Sequence, residues 1–352
     1  MTARATWWTQ LGESVRYVRG ELPAKFLPGK MASLTEDYNF VREDGEHPDG
    51  SPRFVFPEQE GSAAIWFYPG NKTRSMLMER MQANGIRIIS ETDDNYTVRA
   101  PRQHDDWKDT IREGYATDEH SREGHVKIVS SPIVDACIVS TPYLERTYRK
   151  YNDSVYVCPN CVDPDDWAEV AGDMPDDDVL RFGFAGSQSH HDDTFLIERA
   201  CRWVSKQDGV ELVFFGVQPH ETYDLDARRV VFVKPDEYRK LLPVFDVGFV
   251  PLKPNIWSLA RSDVKILEYG MAGALPIISR TNADKLEPYH QWFDDSPCLV
   301  AESPRDFLRH AQWCVDNRDE VKRLGKEMRE IVTARRNIRD HVARWEEAIV
   351  GE

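Results

Sequence analysis

Residues 260–279 read "ARSDVKILEYGMAGALPIIS". The stretch has the spacing of a helix with one buried face, and it passes through "GALP" into a short apolar strand at Leu275–Ser279. Arg261, Lys265 and Glu268 fall four and three residues apart, so a helix carries them on one face. If that helix starts near Arg261 or Ser262, both cations sit at the positive end of its dipole. That position is unfavourable for them unless an anion binds there. Ser262 and Asp263 are placed to cap the free backbone N–H groups. The plain alternative is a solvated helix face with a single Lys–Glu pair, which would contribute little.

Working outward, the same alternation recurs. "LRFGFAGS" (180–187) predicts a strand and loop, "DDTFLIERACRWVSKQ" (192–207) a helix, and "VELVFFG" and "RRVVFV" strands. "PDEYRKLLPVF" predicts a helix, "DVGFVPL" a strand, and three more helices follow residue 303. A similar series precedes it: "SAAIWFYPG" (62–70), "TRSMLMERMQANG" (73–85), "IRIISETDDN" (86–95), "ACIVST" (136–141), "PYLERTYRKY" and "SVYVCPN". Strands alternating with helices argue for parallel, doubly wound sheets. Residues 42–61, rich in Pro, Gly and acids, read as a surface loop. "DPDDWAEVAGDMPDDD" (163–178) is acidic, contains two prolines and lacks periodicity, so it reads as a linker. The expected organisation is α/β: an N-terminal domain over 1–165, a linker over 166–178, a second domain over 179–330, and a C-terminal helix over 331–352 returning to the first domain.

At 352 residues and 41% hydrophobic, the chain has length and apolar content for two cores. No apolar run approaches the roughly 18 residues of a membrane helix. The first residues lack the apolar segment of a signal peptide, so a cytoplasmic location is expected. A formal net charge of -15 argues against general binding to nucleic acid or anionic membrane. A phosphate-bearing ligand would need locally concentrated cations, which gives Arg261 and Lys265 their weight. The six cysteines read as reduced, buried thiols. "CPNC" (158–161) has neither a second ligand pair for zinc nor a helix to open for redox chemistry, so no metal is expected.

The loop after Leu180–Gly186 is the second candidate. Ala185-Gly186-Ser187 ends an apolar strand ahead of a helix, where backbone N–H groups can approach a phosphate. It lacks the G-x-G-x-x-G and P-loop patterns, and a tight turn needing Gly is the bland reading. His190 and His191 point about 100° apart on a helix and read as exposed polar residues at its start. The Gly-Ser loop and the 261–272 helix should share the C-terminal edge of one parallel sheet, where ligands bind.

"FGFAGSQSHHDD", "FVKPDEYRKLLPVFDVGFVPL" and "ARSDVKILEYGMAGALPIIS" together resemble the donor-binding half of retaining GT-B glycosyltransferases. The likeness is closest to family 4 and its relatives in bacterial polysaccharide clusters and bacteriophage genomes. More loosely, "VRYVRGELPAKFL", "ISETDDN", "VDACIVSTPYL" and "VYVCPNCVDPDDW" resemble the N-terminal half of those proteins. The resemblance implies two Rossmann-like domains facing across a cleft, the first binding acceptor and the second the nucleotide-sugar donor. It implies a retaining, metal-independent transferase in the cytoplasm of a bacterial or phage-infected cell. No cofactor is implied; a UDP- or GDP-linked sugar is the substrate, and a glycan, a lipid-linked glycan or a protein is the acceptor.

Carried onto this chain, the resemblance makes Glu268 the acid that holds the donor ribose hydroxyls. Lys265 and Arg261, beside Ser262, would neutralise the diphosphate. Gly186 and Ser187 would approach it through the backbone, and residues 232–235, Val233 among them, would line the base. The first acid of the family's Glu–seven residues–Glu motif should stand at 260, which is Ala260; a narrower set of relatives with a basic-Ser-x-x-Lys-x-x-Glu pattern also lacks it. Basic residues that usually follow the Gly-Ser loop are missing, and His190 or Arg261 can substitute. For the acceptor side, Asp93 and Asp94 at a strand end are the candidates, with a polar turn as the alternative. His120 and His125 could reach the donor phosphate. Three rival readings follow from the residues: a metal-dependent GT-A transferase using "DPD" (163–165) or "DLD" (224–226), a dinucleotide-dependent oxidoreductase, which lacks its Gly-rich fingerprint, and an inactive nucleotide-sugar-binding module suggested by Ala260.

Overall fold

The computed structural model of the chain describes residues 5–9, 16–27, 29–33, 42–46, 52–55, 62–67, 72–98, 119–168, 170, 177–187, 190–216, 224–230, 235–280 and 289–351. It divides into two compact units, Met1–Asn160 with Ile338–Glu352, and Cys161–Asn337.

The first unit is built on strands β1 (Ala5–Thr9), β2 (Gly29–Ser33), β5 (Ala63–Phe67), β6 (Arg87–Thr92), β7 (Ala136–Val139) and β8 (Val155–Val157), with a separate hairpin of β3 (Arg42–Glu46) and β4 (Pro52–Val55). The order β2-β1-β5-β6-β7-β8 is parallel throughout. A π-helical turn, Tyr17–Glu21, leads into α1 (Leu22–Phe26). Helices α2 (Lys72–Ala83), α3 (Glu119–Val129) and α4 (Pro142–Tyr148) follow. Thr141 caps α4 by accepting from Leu144 N, and Pro142 opens its first turn. The core gathers Trp7, Ile65, Phe67, Ile89, Ile138 and Trp345. Arg19, inside the π turn, is buried against Glu91 at 2.5 Å, Asn160 at 3.2 Å and the Trp345 ring at 4.8 Å.

The second unit comprises β9 (Leu180–Gly186), β10 (Val210–Gly216), β11 (Arg228–Val230), β12 (Val247–Val250), β13 (Leu275–Ser279) and β14 (Leu299–Ala301). Their order is β11-β10-β9-β12-β13-β14, all parallel. Helices α5 (Pro164–Ala168), α6 (His191–Thr194), α7 (Glu198–Val204), α8 (Pro235–Leu241), α9 (Val264–Ala272), α10 (Pro304–Asp316) and α11 (Arg318–Arg336) complete it. Alternate strand residues enter two cores. Phe182, Phe184, Phe249 and Ile277 join Cys201 of α7 and Phe307 of α10 on one side; Ala185, Val250 and Ile278 join Ile266 of α9 and Met328 of α11 on the other. Burial on both faces is why these strands read as near-continuous apolar runs.

Several boundaries depart from the sequence reading. The chain changes unit after Asn160, and Trp167 and Val170 are buried in the second unit's core. The start of the expected linker is therefore packed structure; residues 171–176 lie outside the described residues. The segment expected over 331–352 takes in the end of α11, which runs to Arg336, and α12 (Ile338–Val350), which belongs to the first unit. The expected helix over 192–207 breaks into α6 and α7, and the expected loop over 42–61 contains the β3–β4 hairpin.

Candidate functional site

In the second unit, β9 and β10 end together at the paired glycines Gly186 and Gly216. Gly216 has φ +83°, and a Cβ there would lie 2.2 Å from the Gly186 carbonyl oxygen. Only glycine lets these strand ends close up in this way. Ser187, next in line, is exposed.

Residues 260–279 supply the neighbouring helix. Its chain runs from a 3-10 turn, Ser258–Ala260, into α9 at Val264. Ala260 is wholly buried, while Arg261 and Ser262 are half-buried between turn and helix. The Arg261 guanidinium lies 5.8 Å over the Trp257 ring. Lys265 is the second residue of α9; its Nζ is 6.0 Å from the centre of the Phe184 ring, and its Cε would be 3.6 Å from a Cβ on Gly186. The lysine stem thus lies along the end of β9. Burial pushes the Lys265 ammonium down to about 8, against the opposing pull of Glu268.

Glu268, one turn further, accepts a hydrogen bond from the Tyr238 hydroxyl at 3.1 Å. Burial raises its carboxyl to about 7, opposed by Lys265, Tyr238 and Arg239. Tyr238 stands on α8 and is a partner that the sequence reading lacks.

His190 and His191, expected at the surface, are instead half-buried and buried. His190 Nδ1 is 2.9 Å from Asp193 Oδ2, and the other Asp193 oxygen accepts from Lys253 N at 2.8 Å. Burial, reinforced by the Lys265 and Arg261 charges, pushes His190 down to about 3, so its ring is neutral near pH 7. His191 is buried with its ring edge-on to Phe195 at 5.4 Å.

Asp263 does not cap α9. Although it occupies the N-cap position, no side-chain cap bond forms. Its Oδ2 instead accepts from Gln291 at 2.9 Å, Trp292 Nε1 at 3.0 Å and Arg336 at 2.8 Å.

In the first unit, Asp93 and Asp94 sit half-buried in the turn after β6. Their carbonyls accept from Ser140 at 3.4 Å and from Thr92 at 2.8 Å. His125 is fully buried, its Nε2 2.8 Å from the Tyr148 hydroxyl, because α3 turns that face into the core. It does not present itself to a ligand, contrary to the expectation. Burial holds it near 3 and uncharged. The side chain of His120 and all of Val233 lie outside the described residues.

The two Asp-x-Asp triplets are engaged locally. Asp163 Oδ1 accepts from Asp165 N at 3.2 Å, and Asp224 pairs with Arg202 at 3.4 Å. Among the described residues no group of three or more His, Cys, Asp or Glu could hold a metal ion. All six cysteines are buried thiols. No described helix is long and apolar enough to cross a membrane.

No family model matches the sequence, and no curated protein matches it. Solved structures do match, over nearly the whole chain. HepE of Anabaena, solved with UDP and glucose, is 8% identical with a TM-score of 0.62, covering 98% of both chains. Sucrose-phosphate synthase of Thermosynechococcus elongatus is 12% identical with a TM-score of 0.61, again covering 98% of both. BGT of T4 phage, solved with its UDP-glucose substrate, is 9% identical with a TM-score of 0.53 and covers 98% of both. The fold is GT-B: two Rossmann-like α/β units, each on its own parallel sheet. It is not the single-domain GT-A arrangement.

Proposed function

We propose that this chain is a glycosyltransferase that takes a sugar from a nucleotide-sugar donor bound on its second unit. The observation that carries the reading is the clustering of Lys265, Gly186 and Glu268. A cation at the positive end of α9 lies along a glycine strand end that opens a backbone approach, and a carboxylate follows one turn away. An anion such as a diphosphate offsets the unfavourable placement of that cation. A carboxylate suits a vicinal diol, since it accepts two hydrogen bonds at once. In this reading Lys265 and Arg261 take the diphosphate, with Gly186, Ser187 and Ser262 beside it, and Glu268 takes the ribose. Asp193 takes the Nδ1 proton of neutral His190, so His190 can donate to the phosphate from Nε2 only as the imidazolium that a bound anion favours. Residues 232–235, with Val233, line the base. UDP is the favoured nucleotide, because HepE and the T4 phage enzyme were solved with UDP or UDP-glucose.

The transfer proceeds with retention and without metal. The acceptor hydroxyl attacks the anomeric carbon from the face that the diphosphate leaves; its oxygen forms the new bond as the sugar–phosphate bond breaks, and its proton passes to the departing diphosphate oxygen. The charge that develops on the diphosphate is stabilised by Lys265 and Arg261. Asp93 and Asp94, on the first unit, are the residues proposed to orient the acceptor, which is a glycan, a lipid-linked glycan or a protein; His120 is proposed for the donor phosphate.

Calorimetric titration of UDP and GDP into wild type and Glu268→Gln tests the donor site. Charged hydrogen bonds of about 1.5–3 kcal/mol translate into a roughly 10–150-fold loss of affinity in the variant. Equal affinities would reduce the stretch to an ordinary helix face. Turnover should survive excess EDTA; abolition with rescue by Mg²⁺ or Mn²⁺ would remove the metal-independent mechanism. The buried Ala260, where an acid was expected, favours one second reading, an inactive nucleotide-sugar-binding module. Slow hydrolysis of UDP-sugars by the pure protein would exclude it.

A further inference from the structure

The Glu268 carboxylate has one side-chain hydrogen bond among the described residues, and it comes from Tyr238. The two residues are 30 apart in sequence, on α8 and α9. Arg239, next to Tyr238, acts on Glu268 only through its charge, and pairs instead with Asp166 at 3.6 Å. Tyr238 is itself anchored, because its ring packs against the core beneath α9. Helix α8 also begins at Pro235, where the segment expected to line the base ends.

A glutamate side chain that reaches for a ligand with three free torsions loses rotamer entropy on binding. A donor on a rigid ring removes much of that loss by fixing the plane of the carboxylate beforehand. One lone pair of Oε2 is then occupied, and the remaining acceptor positions point in set directions. Discrimination arises when a positioned acceptor is left without its hydroxyl, since an unmade bond in a buried site is expensive.

We propose that Tyr238 is the positioning residue for sugar recognition in the donor nucleotide: its hydroxyl holds Glu268 so that the site distinguishes a ribonucleoside diphosphate from its 2′-deoxy counterpart. This rests on the donor-site reading above. Tyr238 touches no reacting atom, and acts through Glu268. The hydroxyl also favours the charged carboxylate, which burial alone disfavours.

The test is calorimetric titration of UDP and 2′-deoxy-UDP into wild type, Tyr238→Phe, Glu268→Gln and the double variant. Phenylalanine keeps the ring and its packing, so the fold persists. Wild type should prefer UDP by about 10-fold or more, the worth of one charged hydrogen bond. Tyr238→Phe should cut that preference at least threefold while binding 2′-deoxy-UDP about as well as wild type. In the Glu268→Gln background the tyrosine substitution should change nothing further. An unchanged preference in Tyr238→Phe, or an equal loss for both nucleotides, would overturn the proposal while leaving the donor site standing. Failure of wild type to bind either nucleotide would overturn both.

Discussion

Asp263 and Arg336 meet at 2.8 Å in the interior of the second unit, joining the start of α9 to the end of α11. The carboxylate lies between Arg261 and Lys265 in sequence, yet it is directed inward to Trp292, Gln291 and Arg336. Arg336→Met strands that carboxylate in a buried site and should lower the stability of the second unit by about 3–5 kcal/mol. Asp263→Asn combined with Arg336→Met should recover part of the loss, because the uncompensated charge is gone. Differential scanning calorimetry checks both; additive losses would argue against the coupling.

Gly216→Ala probes the strand ends. The new Cβ meets the Gly186 carbonyl at 2.2 Å, in a left-handed backbone that alanine adopts reluctantly. Strain and overlap should each remove about 1–3 kcal/mol. Urea unfolding measures this, and UDP affinity should fall as well, since Gly186 must move.

Lys265→Ala should act chiefly on turnover. Charge on the leaving diphosphate grows in the transition state, so kcat should fall by about 10²–10³-fold with a smaller change in KM. Steady-state kinetics with the preferred UDP-sugar tests it; a rise in KM with kcat unchanged would assign the lysine to ground-state binding.

The pH dependence follows from Glu268 and Lys265. Glu268 must be charged and Lys265 protonated, so kcat/KM should peak between about pH 7 and about pH 8. The two limbs belong to the pair. For stability the signs run the other way. Glu268 is raised from 4.5, so its contribution is full below that value and is lost as pH rises through about 7. Lys265 is lowered from 10.5, so its contribution is full above that value and is lost as pH falls through about 8. The ligand-free site should therefore contribute least to stability where activity is greatest, and bound UDP should raise Tm most in that window. A Tm increment from UDP that is flat across pH 5 to 10 would contradict this.

Much of the second unit is legible in the sequence because its strands are buried on both faces and separated by helical periodicity. Residues 5–9 are not: "ATWWT" is too short to show alternation, although β1 lies between β2 and β5. Residues 192–207 read as one periodic run, but Asp193 turns its carboxylate to His190 and Lys253 N, and the helix breaks after Thr194. The spacing of Arg261, Lys265 and Glu268 places them on one helical element. Tyr238 and Arg336 escape sequence reading for a common reason: each meets its partner across 30 or 73 residues. Only the tertiary fold decides such pairings, and Asp263 reads as a cap until Arg336 is known to be there.

Helix α12 has a consequence for how the chain is made. Domains generally fold as units during synthesis, in the order in which they emerge. The first unit takes in residues 1–160, which are made before the second unit, yet Trp345, Ala348 and Ile349 belong to its core, with Trp345 6.4 Å from Trp7. The second unit has all of its residues once Asn337 is made, whereas the first waits for residues 338–350. The half translated first is thus the half completed last, and until then it must emerge from the ribosome with the Trp7 side of its core uncovered.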